Sequence, residues 1–433
     1  MSPVPRPDHR RSEPRGAAPA DLRPERQGAH RSARSAGLRH VLTHLITPLL
    51  MCIGMGLAYL GAFANPAPHD LPVAIVGSGQ SAQLLAQSIN DKAGGDLEVR
   101  TVGDRSAAVG QLKHQEIFGA YVMKPEAGVG GGPGRGAGGE TRAAADGTRS
   151  SRPELLVATA GSDTSASVVQ KIFTPIAAHQ GAPLKVTDVV PTAEDDPTGQ
   201  GLFFLLVAIS IGSYASVAVI GGAGAVLPLR LRAALAIGTS FVVSVIGAAF
   251  AGPVFHLVDR GLWGVWGMAW LYSAGILLIG TGLHTFLKRW TTLGVMALFV
   301  MLNFTSSGGI FRPEMQNGFF AALHSFWNGA GFVEGTRSHI YFDGYGLAGH
   351  VWTLTVWLVV GAVMVGVAGL AEGRRRRAEA TAAANAAAVA AAAVAATVPE
   401  RAVGERKERK AQEGWEGREG REAEEEMEEA VGV

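Results

Sequence analysis

Two stretches of this chain combine residue types and spacings that could carry chemistry. The first is Gly77-Ser-Gly79-Gln-Ser-Ala82, which fits the G-x-G-x-x-A form of the dinucleotide fingerprint. Glycines there would let the backbone approach a pyrophosphate at a helix N-terminus, with Glu98 as a poor ribose partner. The same residues equally suit a plain strand-to-helix turn, and the turn is the expectation. The second stretch is the loop at residues 303–345, where Glu314, His324, Glu334 and Arg337 lie among aromatic residues. These would line a polar vestibule, or pair as interfacial charges with each other or with water. Ser78 and Ser81 have no convincing His/Asp partners, no two histidines are spaced as metal ligands beside a carboxylate, and Cys52 stands alone. No catalytic, cofactor-binding or metal-ligating residue is therefore expected, and the expected answer to whether this is an enzyme is no.

The elements that position these residues are set by the clustering of apolar residues rather than by bulk composition. The chain has 433 residues, is 47% hydrophobic and carries a formal net charge of +1, which gives no argument for a nucleic-acid partner. Residues 201–222, 233–251, 262–287, 291–311 and 347–371 contain no Asp, Glu, Lys or Arg. Each is about long enough to cross a ~30 Å hydrocarbon core as a helix. A sixth such stretch, residues 41–64, stands alone and reads as an uncleaved anchor rather than a signal peptide. The expected fold class is a polytopic α-helical membrane protein with six transmembrane helices and a small α/β extracytoplasmic domain between helices 1 and 2.

Basic residues fix the expected orientation. Arg230 and Arg232 follow the second span, Lys288 and Arg289 the fourth, and residues 374–377 the sixth, while nine Arg precede the first. Every second loop is basic, so both termini fall on the cytoplasmic side of a plasma membrane and residues 65–200 fall outside.

The outside segment alternates strand and helix signals: strands near 72–77, 97–102, 119–123, 154–159 and 184–190, and helices near 81–91, 106–117 and 164–179. Leu84, Leu85 and Ile89 are expected to lie on one face of the first of these helices. Such alternation predicts an α/β layer with a partly parallel sheet. A Gly-, Ala- and Arg-rich insert at 127–152 should be flexible, as should the basic tail at 1–40. In the 303–345 loop, Gly308-Gly309 and Arg312-Pro313 should break the fifth span. The segment FFAALHSFW (319–327) is too short to span and should be re-entrant or interfacial. Phe326, Trp327, Tyr341, Phe342 and Tyr345 should form an aromatic belt. Residues 374–433 read as a cytoplasmic tail, Ala-rich and helical at first, then charged and disordered or fraying.

Together these features resemble the membrane subunit of type-2 ABC exporters, in the branch with a large outside domain that includes phage-infection-protein (YhgE/Pip-like) membrane proteins. The resemblance covers about residues 40–372. It rests on the lone anchor, the α/β segment opening with PVAIVG, the clustered spans and the loop SSGGIFRPEMQNGFFAALHSFWNGAGFVEGTRSHIYF. Gly308, Gly309, Pro313, Glu314, Phe319, Phe320 and Arg337 match the family's loop, whereas its second Pro is replaced by the run at 315–318. The resemblance implies a homodimeric exporter subunit in contact with membrane lipid, moving drugs, lipids or polymers through a gate at that loop. The sequence has no GxxxxGK[ST] phosphate loop. Power would come from a separate ATPase subunit docked on the cytoplasmic side, at Arg230, Arg232 and the basic 15–39 tail. A non-transporting scaffold or surface receptor, working through its outside domain, remains the alternative.

Overall fold

The β-branched run LPVAIV has hydrophobic side chains on both faces, and it forms the strand around which an α/β layer is wound. The computed structural model describes residues 46–123, 152–397 and 400–431; the expected basic tail (1–40) and almost all of the expected insert (127–152) lie outside them. The first described helix, α1 (Ile46–Phe63), leads into β1 (Leu71–Val76), α2 (Gln80–Ala93), β2 (Leu97–Val102), α3 (Arg105–Lys113), β3 (Ala120–Val122), β4 (Glu154–Val157), α4 (Asp163–His179) and β5 (Lys185–Asp188). The sheet order is β2-β1-β3-β4-β5. Strand β1 is parallel to both β2 and β3, β3 is antiparallel to β4, and β4 is parallel to β5.

Right-handed crossovers explain which helix covers which face. Passing from β1 to β2 on one side and back across β1 to β3 puts α2 and α3 on opposite faces. Leu71, Val73 and Ile75 accordingly pack with Ala82, Ala86 and Ile89 of α2 and with Val169, Phe173 and Ala177 of α4. Ala74 and Val76 pack with Ala108 and Leu112 of α3. Helix α4 sits so close to the sheet that a Cβ at Gly119 would come within 2.5 Å of Val169 Cγ1. The expected apolar face of α2 is corrected in one respect. Leu84 is 58% exposed, because the small Ala82 and Ala86 lie against the strands.

Asp104 and Ser162 start α3 and α4 by accepting hydrogen bonds from the backbone N–H groups of Ala107 and Ser165. The turn at Gly77-Ser-Gly79 enters α2 with Gly77 at φ 147° and with Gly79 as N-cap, without a side-chain cap.

The apolar helices follow: α5 (Gly201–Gly222), α6 (Leu229–Ala249), α7 (Leu262–Leu287), α8 (Thr291–Thr305), α9 (Gly318–His324), α10 (Asn328–Tyr341) and α11 (Leu347–Thr397). A 3-10 turn extends α5 to Val226, and a π-helical turn, Phe250–Val254, extends α6. Among the described residues, five helices are long and apolar enough to cross a membrane, namely α1, α5, α6, α7 and α11. The sheet and the other described residues up to Gly361 form one compact unit. Within it α7 is the buried centre, while α1 and α6 keep most of their apolar surface exposed. Small residues let the helices close: Gly280 of α7 lies against Val217 of α5, Gly247 of α6 against Ile209, and Gly361 against Leu278.

The expected fifth span over 291–311 is corrected. Helix α8, with a π-helical turn at Ala297–Leu302, ends at Thr305, so at 1.5 Å per residue it falls short of a ~30 Å core. The hydroxyls of Thr305 and Ser306 bond back to the carbonyls of Met301 and Leu302, and Gly308 then turns the chain at φ 73°. The second unit, from Ala362 onward, contains the remainder of α11 and a charged helix, α12 (Glu400–Val431). Helix, not disorder, is therefore what residues 400–431 adopt.

Glu154 is the sheet's buried acid, 8% exposed. It accepts hydrogen bonds from Thr187 Oγ1 (2.6 Å), Lys185 Nζ (3.3 Å) and Arg105 Nε (3.4 Å). Burial alone would raise its pKa, but these hydrogen bonds and the Arg105 charge outweigh it and hold the carboxyl below the usual glutamate range. A depressed folded pKa gives stability that is present above the unfolded value of about 4.3 and is lost as pH falls through the folded one. Glu154→Gln should cost about 1 kcal/mol at neutral pH and flatten the acid limb. Hydrogen exchange of β4 and β5 amides across pH 3–7 reads both effects; an unchanged acid limb would remove Glu154 from that account.

Candidate functional site: a buried ion cluster beneath the α/β layer

Among the described residues, the loop between α8 and α11 is where charges are sunk into this apolar assembly together. Helix α10 supplies Glu334 and Arg337 one turn apart, so both lie on one face. Its glycines bring that face in close. Gly331 packs against His350 O and Thr353, and Gly335 against Met268 Sδ (2.9 Å for an added Cβ). Pro313 opens the 3-10 turn Pro313–Met315, which fixes the preceding Arg312 in extended backbone.

The Glu334 carboxylate is held between two guanidinium groups. Arg312 Nη1 lies 2.5 Å from Glu334 Oε2, and Arg337 Nη1 lies 2.5 Å from Glu334 Oε1. Arg312, Glu334 and Arg337 are only 8%, 4% and 3% exposed, respectively. Arg337 Nη2 also donates to the Gly308 carbonyl (3.3 Å). The carboxylate of Glu314 stands 3.9 Å from Arg312 Nε, so two cations meet two anions. His324 Nε2 lies 3.9 Å from Glu334, while its Nδ1 is 2.9 Å from the Ser306 carbonyl. The positive φ of Gly308 is needed here, and an added Cβ would come within 2.7 Å of Glu334 Oε1. A charge buried this deeply persists only with such partners.

The cluster is also where the α/β layer grips the loop. The Arg312 guanidinium lies 5.3 Å from the centroid of the Phe118 ring. His69 N–H donates to the Glu314 carbonyl (2.7 Å), Thr164 Oγ1 to the Ile310 carbonyl (3.2 Å), and Ala193 N–H to the Tyr341 hydroxyl (3.3 Å). Phe342 is buried against Ala160 and Val190, and the rings of His114 and Tyr345 stack at 4.2 Å. On the other side, a second polar chain ties the loop to the apolar helices. Asn303 Nδ2 donates to Tyr272 OH (2.6 Å), which is 2.5 Å from Ser210 Oγ, and Gly329 N–H donates to Asn303 Oδ1 (2.6 Å).

Of the residues singled out from sequence, Gly308, Glu314, His324, Glu334 and Arg337 come together, with Pro313 adjoining them. Glu334 and Arg337 are closely paired and buried, while Glu314 and His324 stand partly exposed at the edge of the cluster. Gly309 packs instead on Phe203. Phe320 is buried near Gly61 of α1, and Phe319 is 61% exposed, away from the cluster. The expected aromatic belt is corrected: Trp327 and Phe342 are buried, Trp327 donating to the Leu298 carbonyl (3.2 Å), while Phe326 and Tyr345 are exposed. Arg230 is exposed at the start of α6, but Arg232 is 4% exposed and so is not an open docking residue. The basic 15–39 segment lies outside the described residues. Arg312 is the partner that sequence reasoning used only as a helix breaker. Its signal was compositional, since Arg312 and Arg337 are the only Arg or Lys among the residues of the 303–345 loop that carries Glu314 and Glu334. Among the described residues, no group of His, Cys, Asp and Glu is arranged to hold a metal ion.

Glu334→Gln would leave two guanidinium groups buried against a neutral amide. It should cost roughly 3–5 kcal/mol in detergent unfolding, whereas Phe319→Ala, at an exposed position, should stay within about 0.5 kcal/mol. Equal effects would show that the cluster bears no special share of the fold.

No protein-family model matches the chain, and neither a curated protein nor a solved structure matches it.

Proposed function

We propose that this chain is a permease-like membrane subunit of an exporter, with a drug, lipid or polymer as cargo and a separate ATP-binding subunit as motor. The α/β layer lies outside the plasma membrane and both termini lie in the cytoplasm. One observation carries the reading. The loop of residues 306–345 is held from one side by the α/β layer, through Phe118, His69 and Thr164, and from the other by the apolar helices, through Asn303 and Tyr272. A rearrangement of those helices therefore reaches the outer layer through the ion cluster, which acts as the exit gate. Buried charge pairs with two discrete arrangements suit such a gate, since they switch rather than deform. The exposed apolar faces of α1 and α6 meet lipid or a second copy of the chain.

The rival reading, a non-transporting scaffold or receptor, draws on β5, a sheet edge where Val186 is 39% exposed. Such an edge can accept a partner strand. Purification of the chain in mild detergent separates the two. A stoichiometric ATP-binding subunit, with ATPase activity stimulated by cargo, is the expected result. An intact chain that comes down with surface or secretion proteins instead would select the scaffold. Arg337→Lys, which keeps the charge but loses the second contact to Gly308, should lower export at least severalfold at normal membrane insertion.

A further inference from the structure

A cavity of about 280 Å³ opens between the outer-layer linker, α5 and the end of α6. Its walls are Phe204, Leu205, Phe250, Phe255 and Leu257, and its rim carries Asp195. The walls exist because α6 ends in the π-helical turn Phe250–Val254, which contains Pro253 and sets the rings of Phe250 and Phe255 6.0 Å apart. Turns of this kind recur at functional sites. At the head of α5, the adjoining Asp196 already satisfies the helix terminus. Its Oδ2 accepts from Gly201 N–H at 2.9 Å, with Gln200 and Gly199 N–H also directed at the carboxylate. Asp195 is exposed and makes no ion pair among the described residues. No Lys or Arg lines the cavity.

We propose that this cavity binds a hydrophobic organic cation, its ring or alkyl body among the phenylalanines and its ammonium at Asp195. The aromatic walls take up the apolar body, and the Asp195 carboxylate attracts the ammonium at the rim. A phospholipid chain would fill the same walls. It would, however, bring its phosphodiester anion to a mouth whose charged lining residue is Asp195, and like charges there oppose it. The inference deepens the export reading by naming a cargo class. Binding is measured with no motor present, so loss of binding and loss of export are separable.

The test uses the full chain in lipid nanodiscs with two probes of one shape: benzyltrimethylammonium and its neutral carbon isostere, neopentylbenzene. Ligand-detected magnetic resonance, with empty discs subtracted, gives both affinities. The cation should bind at least about tenfold more tightly, or ~1.4 kcal/mol. Asp195→Asn should bring the ratio to within about threefold, because the attraction it removes is that of a single charge at a wet rim. Leu257→Trp, which fills the cavity, should abolish binding of both. Equal binding in the parent chain, a ratio that survives Asp195→Asn, or binding that survives Leu257→Trp overturns the proposal. Absence of binding by either probe does so too. A neutral probe that binds more tightly and is displaced by added phospholipid would assign the cavity to a lipid chain.

Discussion

Everything beneath the α/β layer is arranged around the need to keep the Glu334 carboxylate charged where water does not reach. A lone carboxylate there would cost several kcal/mol, so Arg312 and Arg337 must both be delivered to it. That single requirement constrains three separate pieces of backbone. Gly308 must take a positive φ and carry no Cβ. Pro313 must hold Arg312 extended. Helix α10 must lie close enough to α7 and α11 for Arg337 to reach inward. Burial of such a set does not by itself add stability, because desolvation offsets the Coulombic gain. What it does is penalise every other arrangement of the loop.

Helix α10 shows how packing overrides propensity. It contains Gly329, Gly331 and Gly335 within three turns, and each glycine in a helix costs about 1 kcal/mol relative to alanine. The compensation is distance. Gly329 lets the helix meet Asn303, Gly331 meets the α11 backbone, and Gly335 meets Met268. The Asn303–Tyr272–Ser210 chain then becomes reachable, so one buried amide joins α8 to α7, α5 and the first turn of α10. In an apolar surrounding such side-chain bonds contribute about 0.6–2 kcal/mol each, enough to fix register where hydrophobic contact alone is indifferent to it.

That contrast explains what could be read from the residues. Helices α5 and α7 match their expected bounds because uncharged runs between polar ends set both the hydropathy and the limits. The sheet and its three helices follow from alternating β-branched and helical signals. Signals that depend on a neighbour were not legible. At the end of α8 hydroxyls bond backward and Gly308 then turns the chain, and a serine gives no sequence sign of whether the helix will end beside it. Helix α10 was hidden by its glycines. Trp327 and Phe342 looked like interface aromatics but are buried, since an aromatic ring has the same pattern at either place. For the candidate site, the charged members of the loop were visible as a set, but their pairing, and the part played by Arg312, depend on tertiary geometry.

The position of Arg312 is what turns a local charge cluster into a junction. Its guanidinium contacts Glu334 on one side and the Phe118 ring on the other. Phe118 itself packs in the sheet core with Leu71, Val73 and Tyr121. A displacement of α10 by even a fraction of a helical turn would break the contact to Glu334 or carry Arg312 away from Phe118, because the side chain is already committed at both ends. The junction is reinforced by the backbone bond from His69 to Glu314, which places the entry to β1 beside the same charges. The α/β layer and the helices are thereby joined by these polar contacts together with the apolar packing of Phe342 on Ala160 and Val190. A joint of that kind depends on its charges staying paired, because an unpaired charge buried there carries a desolvation cost that nothing else in the loop offsets.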